Sequence, residues 1–79
     1  MLKYALTKEG EIRCDKGEFY LQESLPEYKG YTEKIFLMLH KSGPLTVREI
    51  SNLTRISTRS INGVITFNIY AGYIRRIPL

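Results

Sequence analysis

The sequence has few of the residues that build disulfides, metal clusters and nucleophilic active sites. It contains one cysteine, Cys14, one histidine, His40, and no tryptophan. A single cysteine closes no internal disulfide, and Cys14 and His40 together make neither a nucleophilic site nor a metal cluster. Glu23 and Glu27 would share a helical turn but belong to no acid–base motif. We therefore expect Cys14 and His40 to be structural, and the chain to be no enzyme and to need no cofactor or metal.

The sequence also lacks a long apolar run. It has no stretch of about 18 apolar residues and no signal-peptide pattern, which predicts a protein of the cytoplasm without membrane contact. Its 79 residues leave room for one small domain, and a chain of this length buries only roughly 60% of its surface on folding. A hydrophobic share of 43% with 25% charged residues argues against disorder. We expect a single domain over residues 1–79.

The positive charge is concentrated in the second part of the chain. Residues 1–30 carry five Lys or Arg against six Asp or Glu, a net charge of −1, and residues 31–79 carry seven against two, a net charge of +5. A surface that binds a polyanion such as DNA needs a basic segment of this kind. Its Lys and Arg side chains neutralise phosphates, and the release of counterions supplies much of the binding free energy. A solvated basic face is the commoner explanation, so charge alone decides nothing.

The N-terminal part of the sequence predicts short strands. Residues 2–7, 11–15 and 18–22 are rich in β-formers with partial alternation, and turns containing Gly10 and Gly17 separate them. We therefore expect a β-rich, hairpin-like extension over residues 1–30.

A first secure helix is expected over residues 32–41, ended by Ser42-Gly43-Pro44. The preceding Ser24-Leu25-Pro26-Glu27 has the form of a capping box, although Gly30 would interrupt a helix that began there. One side of the secure helix carries Tyr31, Ile35, Met38 and Leu39. Because Phe36 and Leu37 point elsewhere, this helix needs cover on two faces, and only the N-terminal segment is available for the second.

Two further helices follow, each with a recognisable N-cap. Thr46-Val47-Arg48-Glu49 is a capping box that starts a helix to about Leu53, and Ser57 caps the next helix. The apolar face of that third helix consists of Ile61, Val64, Ile65 and Ile69. Ala71-Gly72 ends it, and residues 73–77 are predicted to form a strand.

Three residues do not fit the apolar face of the third helix. Asn68 falls on it, while Phe67 and Tyr70 fall off it. Either the helix bends or ends early, or the two aromatic residues pack against the N-terminal strands or against a second subunit.

The run from Thr46 to Ile65, followed by Gly72-Tyr73-Ile74-Arg75-Arg76, resembles winged-helix transcription regulators of the prokaryotic and archaeal type. Its two short helices are joined by the three-to-four-residue turn of a helix-turn-helix. Ser51 matches the small residue at which the family's two helices approach, and Ile61 its branched apolar residue. The resemblance implies a mixed α/β (α+β) fold with a three-helix winged helix-turn-helix core over residues 31–79, binding to double-stranded DNA, and commonly a homodimer.

The sequence departs from this family in two places. Arg55 occupies a turn position where the family often has Gly in a left-handed conformation. The wing is also incomplete, because after one strand the chain reaches Pro78. An N-terminal strand could pair with residues 73–77 in place of the missing wing strand.

The third helix presents a polar face opposite its apolar side. Arg59 and Asn62 on this face can make paired hydrogen bonds to guanine and adenine, and Gly63 would let the backbone come close to a ligand. Helix N-termini favour phosphate, and Arg75 and Arg76 follow where the family's wing meets DNA. The candidate DNA-binding residues are Thr46, Arg48, Arg55, Ser57, Thr58, Arg59, Asn62, Gly63, Thr66, Arg75 and Arg76. Solvated arginines and a tolerated helix glycine are the plain alternatives.

These observations together predict a transcription regulator that binds double-stranded DNA sequence-specifically and associates with the nucleoid. One alternative is a winged-helix module for protein–protein contacts, which would keep the core and the caps but bind DNA feebly. A second alternative is a nucleoid or replication protein that uses the same basic face with little base selectivity.

Overall fold

The computed structural model describes residues 2–17 and 26–78, with side chains from residue 30 onward in the second range. Its elements are β1 (Leu2–Leu6), α1 (Lys8–Lys16), α2 (Pro26–Ser42), α3 (Val47–Thr54), α4 (Thr58–Ala71) and β2 (Ile74–Pro78). The mixed α+β class predicted from the sequence is confirmed. The strand predicted at residues 18–22 and the capping box that begins at Ser24 lie outside the described residues.

Residues 11–15 belong to helix α1, so the predicted N-terminal β-hairpin is wrong. The Thr7 hydroxyl caps α1 by accepting from the Gly10 N–H at 3.1 Å, and Gly17, with φ 70°, ends it. Acidic residues in the first turn and basic residues in the last suit the helix dipole. Gly10 has the look of a turn residue in the sequence. It lies inside α1, and a glycine is required there because a Cβ would come closer than 3.0 Å to the Tyr73 carbonyl oxygen.

Helix α2 is longer than predicted. It runs from Pro26 through Gly30 to Ser42, so the expected interruption at Gly30 is wrong. It contacts α1 and β1 as well as α3 and α4. Phe36 is buried, but Leu37 is 47% exposed, so the expectation that the N-terminal segment covers Leu37 is also wrong. Within residues 2–17 and 26–78, neither α2 nor another helix is long and apolar enough to cross a membrane.

Strand β1 forms the middle of the small sheet. It pairs antiparallel with β2, from Leu2 opposite Pro78 to Leu6 opposite Ile74. On its other edge, the Tyr4 N–H donates to the Leu45 carbonyl at 2.7 Å and the Leu45 N–H donates to the Tyr4 carbonyl at 3.0 Å. The prediction that an N-terminal strand pairs with residues 73–77 is confirmed.

The core lies between α2, α3 and α4, and Leu6 and Ile74 add to it from the sheet. Its most fully buried apolar side chains are Ile35, Phe36, Leu39, Ile50, Ile61 and Val64. On α4, the predicted apolar face is confirmed, because Ile61, Val64 and Ile65 are buried and Ile69 packs against the same cluster. This packing fixes which face of α4 remains outside.

Asn68 lies fully buried on the inner face of α4. Its Nδ2 donates to the Val64 carbonyl oxygen at 2.8 Å, while Oδ1 has no hydrogen-bond partner among the described residues. Helix α4 does not end early, since it continues to Ala71. Tyr70 is 92% exposed and Phe67 41% exposed, so Tyr70 packs against neither β1 nor α1.

Candidate nucleic-acid interface

A capping box fixes the start of α3, as the sequence predicts. The Thr46 Oγ1 accepts from the Glu49 N–H at 3.1 Å, and a Glu49 carboxylate oxygen accepts from the Thr46 N–H at 2.9 Å. The hydrogen bond from the Thr46 backbone lowers the pKa of Glu49 below its usual value. Thr46 is only 7% exposed, and its hydroxyl is already used by the cap. Arg48, in the same first turn of α3, is exposed.

The turn between α3 and α4 is held by local hydrogen bonds. Arg55 adopts the left-handed conformation expected at this position, with φ 65°, and its N–H donates to the Ser51 carbonyl at 2.8 Å. The Ser51 hydroxyl donates to the Ile56 carbonyl at 2.7 Å, and the Ile56 side chain is buried. Arg55 is the only residue other than glycine with positive φ among residues 2–17 and 26–78. A residue other than glycine in this conformation lowers the stability of the fold. The presence of Arg55 there is therefore a reason to look for a function of its side chain.

Ser57 caps α4, as predicted. Its Oγ accepts from the Ser60 N–H at 3.2 Å and lies 3.1 Å from the Ser60 hydroxyl. Thr58, the first residue of α4, is exposed. The N-terminus of α4 therefore projects free amide groups and small polar side chains into solvent, an arrangement that suits a phosphate.

The outer face of α4 carries the predicted base-reading residues. Arg59, Asn62, Gly63 and Thr66 are all exposed. No hydrogen bond or ion pair joins any of these side chains to another described residue. A shallow open depression over this face is lined by Asn62, Gly63, Thr66, Phe67 and Tyr70. The sequence analysis missed that Phe67 and Tyr70 continue the same stripe, although their four-residue spacing from Gly63 and Thr66 indicates it.

Arg75 and Arg76 are not brought to one face. In the register of the sheet, Arg75 lies opposite Ala5 and Arg76 opposite Tyr4. Because successive side chains of a strand point to opposite faces, the two arginines leave β2 on different sides. Both are exposed. The two arginines therefore cannot both contact one DNA backbone from the same face of the sheet.

The arginines of the candidate interface have no acidic partner in the described part of the chain. Carboxylate contacts there involve His40, whose Nδ1 lies 2.5 Å from a Glu11 carboxylate oxygen and whose Nε2 lies 3.8 Å from an Asp15 carboxylate oxygen. The unpaired arginines are Arg48, Arg55, Arg59, Arg75 and Arg76. Their charge remains available to an external anion, which is the electrostatic condition for binding phosphate.

Cys14 and His40 lie away from these residues, on α1 and α2. Burial raises the pKa of Cys14, and the carboxylates of Asp15 and Glu11 raise it further. The thiol therefore stays protonated at neutral pH and is a poor nucleophile. Among residues 2–17 and 26–78, no group of three His, Cys, Asp or Glu side chains is placed to hold a metal ion.

Compared with protein-family models, curated protein sequences and solved structures, the chain matches none of them. Among the sequence-predicted residues, the structure brings together Arg59, Asn62, Gly63 and Thr66 on one exposed helix face.

Proposed function

We propose that this protein binds double-stranded DNA sequence-specifically through α4 and acts as a transcription regulator associated with the nucleoid. The observation that carries the proposal is the exposed face of α4, where Arg59, Asn62 and Thr66 have no partner within the described chain. Polar side chains that can read base edges are exposed on a helix whose opposite face is buried in the core. This is the chemistry that recognition in the major groove requires.

Helix α4 has suitable dimensions for a major groove. Its 14 residues span about 21 Å at the usual rise per residue, and the major groove of about 12 Å width admits one α-helix. Arg59 and Asn62 lie one turn apart, so they can face neighbouring base pairs. Gly63 beside them has no side chain to hold the helix away from the bases.

Contacts to the DNA backbone would hold α4 in this position. The capped N-terminus of α4, with Ser57 and Thr58, offers amides to one phosphate. Arg48, in the first turn of α3, and Arg55, in the turn between α3 and α4, are exposed and offer positive charge to other phosphates. Arg75 and Arg76 point to opposite sides of β2. We therefore expect each of them to make its own contact with the DNA backbone, independently of the other. A homodimer would place two copies of α4 about one DNA turn, roughly 34 Å, apart.

A protein–protein module is the second candidate, and the exposed aromatic residues favour it. Tyr70 is 92% exposed and Phe67 41% exposed on the same face of α4. Exposed aromatic side chains are typical anchors of protein interfaces. In this alternative, Phe67 and Tyr70 would form the apolar centre of a protein interface, and the polar residues of the α4 face would form its solvent-exposed rim.

Selection from a random duplex library, followed by titration in a salt series, tests the proposal. We expect an enriched sequence and a log–log salt slope of several units, because contacts to several phosphates release counterions. Enrichment without a preferred sequence favours the low-specificity alternative. No detectable binding even at low salt refutes the proposal and favours the protein–protein module.

Alanine variants separate base reading from backbone positioning. Arg59→Ala and Asn62→Ala should each lose about 1–3 kcal/mol of binding on the selected duplex and relax base preference there. Arg75→Ala and Arg76→Ala should weaken binding to all duplexes alike and flatten the salt slope. Circular dichroism must remain native for the comparison. Equal losses on selected and random duplexes for the two α4 variants would show that α4 does not read bases.

A further inference from the structure

An apolar groove lies between α2 and α3, where the proposed function makes no use of it. Its walls are formed by Lys34, Leu37, Met38, Lys41, Leu53 and Thr54, and this set is called the α2–α3 groove below. It encloses about 320 Å³. Leu37 is 47% exposed and Leu53 is 54% exposed, so two large apolar side chains face solvent at its floor.

The groove has a regular arrangement along α2. Lys34, Leu37 and Lys41 are spaced at positions i, i+3 and i+7, which places them on one face of the helix. The two lysines are about 10 Å apart along the axis and flank the exposed leucine. Both lysines are exposed, and no carboxylate among the described residues pairs with either. The result is an apolar floor with positive charge at both ends.

This arrangement argues against DNA and against a second copy of the chain as the occupant. DNA would neutralise Lys34 and Lys41 but would leave Leu37 and Leu53 without an apolar surface to cover them. In a symmetric dimer through this surface, the same patch faces itself. The lysines of one copy would then meet the lysines of the other, and such like-charge contact is unfavourable.

An acidic amphipathic helix satisfies both features of the groove. Its apolar side chains at i, i+3 or i+4, and i+7 would cover Leu37 and Leu53, as in other helix-in-groove complexes. Carboxylates two turns apart on its flank would reach Lys34 and Lys41. We propose that the α2–α3 groove is the docking site for an acidic amphipathic helix of a partner protein. The small area of the groove places the complex in the weak, transient class.

The test is selection from a displayed library of helical 16-residue peptides. Each peptide has an apolar seam of Leu, Ile, Met and Phe, and its flanking positions are randomised equally between Glu and Lys. We expect Glu to be enriched at two flanking positions seven residues apart. Enrichment of Lys, or no enrichment, overturns the proposal.

Variants of the full chain then locate the binding of one selected peptide, measured by fluorescence anisotropy. Leu53→Asn should weaken binding at least tenfold. The double variant Lys34→Glu, Lys41→Glu should lose the acidic peptide and gain binding to the same peptide with Lys at those positions. The matched control for the apolar change is Ile12→Asn, because Ile12 is exposed on α1 and outside the groove. The control for the charge change is the double variant Lys8→Glu, Lys16→Glu, because both of these lysines lie on α1, outside the groove.

Two further measurements assign the groove if the peptide is not its ligand. Sedimentation of the native protein against Leu53→Asn reveals whether a second copy occupies it, and a dimer lost in the variant overturns the proposal. Titration of the selected duplex with the Lys34→Glu, Lys41→Glu variant reveals whether DNA does. The proposal is also overturned if this double variant loses as much DNA affinity as Arg59→Ala does and the native protein binds no peptide. Unchanged DNA binding with impaired peptide binding supports two separate surfaces.

Discussion

The same substitution, glycine to alanine, should have opposite effects in α1 and α2. In a helix interior, alanine is more favourable than glycine by about 1 kcal/mol. At Gly30 nothing lies within 4 Å of an added Cβ, so Gly30→Ala should stabilise the protein by up to about that amount. At Gly10 an added Cβ would overlap the Tyr73 carbonyl oxygen. Helix α1 would therefore have to move away from the junction of α4 and β2.

The cost of that movement follows from what holds α1 in place. The Thr7 N–H donates to the Tyr73 carbonyl at 3.0 Å, and the Thr7 hydroxyl donates to the Gly72 carbonyl at 2.6 Å. Each such hydrogen bond contributes roughly 1 kcal/mol, and overpacking adds about 1–3 kcal/mol. After the gain in helix propensity, Gly10→Ala should lose about 2–4 kcal/mol. A domain of this length has only about 4–12 kcal/mol of stability in total.

Thermal unfolding followed by circular dichroism measures both effects. For a domain of this size, 1 kcal/mol corresponds to about 4–8 °C in Tm. Gly10→Ala should therefore lower the Tm by roughly 10–30 °C, while Gly30→Ala should raise it by a few degrees. Thr7→Val, which removes the hydroxyl without adding bulk near Tyr73, should give a smaller loss than Gly10→Ala. A Tm of the Gly10→Ala variant equal to or above that of the native protein would refute the close contact between α1 at Gly10 and the Tyr73 carbonyl.

Three further predictions concern α3, its C-cap and the core. Arg55→Asn, which tolerates the left-handed conformation without the charge, should keep or raise the Tm while weakening duplex binding in a salt-dependent way; unchanged binding would remove Arg55 from the interface. Because the folded pKa of Glu49 is lowered, its cap should stabilise the protein fully above the unfolded pKa and lose this effect as the pH falls through the folded value. Chemical unfolding from about pH 6 to pH 3 should show this acid loss in the native protein and less of it in Glu49→Gln, and parallel curves would contradict it. Asn68→Leu should raise stability by about 1–2 kcal/mol, because it removes a buried carbonyl oxygen without a partner among the described residues; a lower Tm would show that this oxygen is satisfied in solution.

Most of the features predicted correctly from the sequence are decided within one or two helical turns, and the pairing of β1 with β2 is the exception. The capping box at Thr46, the cap at Ser57 and the left-handed Arg55 depend on neighbours three or four residues away. The outer face of α4 could be predicted for the same reason, since burial of Ile61 determines which residues point outward. Local periodicity was therefore sufficient for most of the candidate interface.

Apart from the place of Phe67 and Tyr70 on the outer face of α4, the features that were missed depend on contacts between distant parts of the chain. A helical position holds Gly10 because α1 approaches Tyr73 too closely for a Cβ, and no local pattern in the sequence contains that contact. Leu37 was expected to be covered because α2 is apolar on several sides, but α1 and β1 do not reach it. The α2–α3 groove needs Leu53 beside α2, which only the packing of the two helices decides.

The position of β1 between Leu45 and β2 has a consequence for how the protein reaches its fold. Leu2 pairs with Pro78 and Leu6 with Ile74, so the sheet joins residues separated by nearly the whole sequence. Closing so long a loop costs entropy before any contact compensates it, which slows folding. The contacts among α2, α3 and α4 are more local and can form earlier. We therefore expect the sheet to be the last part to assemble and, in native-state hydrogen exchange, the amides of β1 to exchange before those of α4. During synthesis, the edge of β1 that pairs with β2 stays without its partner until residues 74–78 have been made.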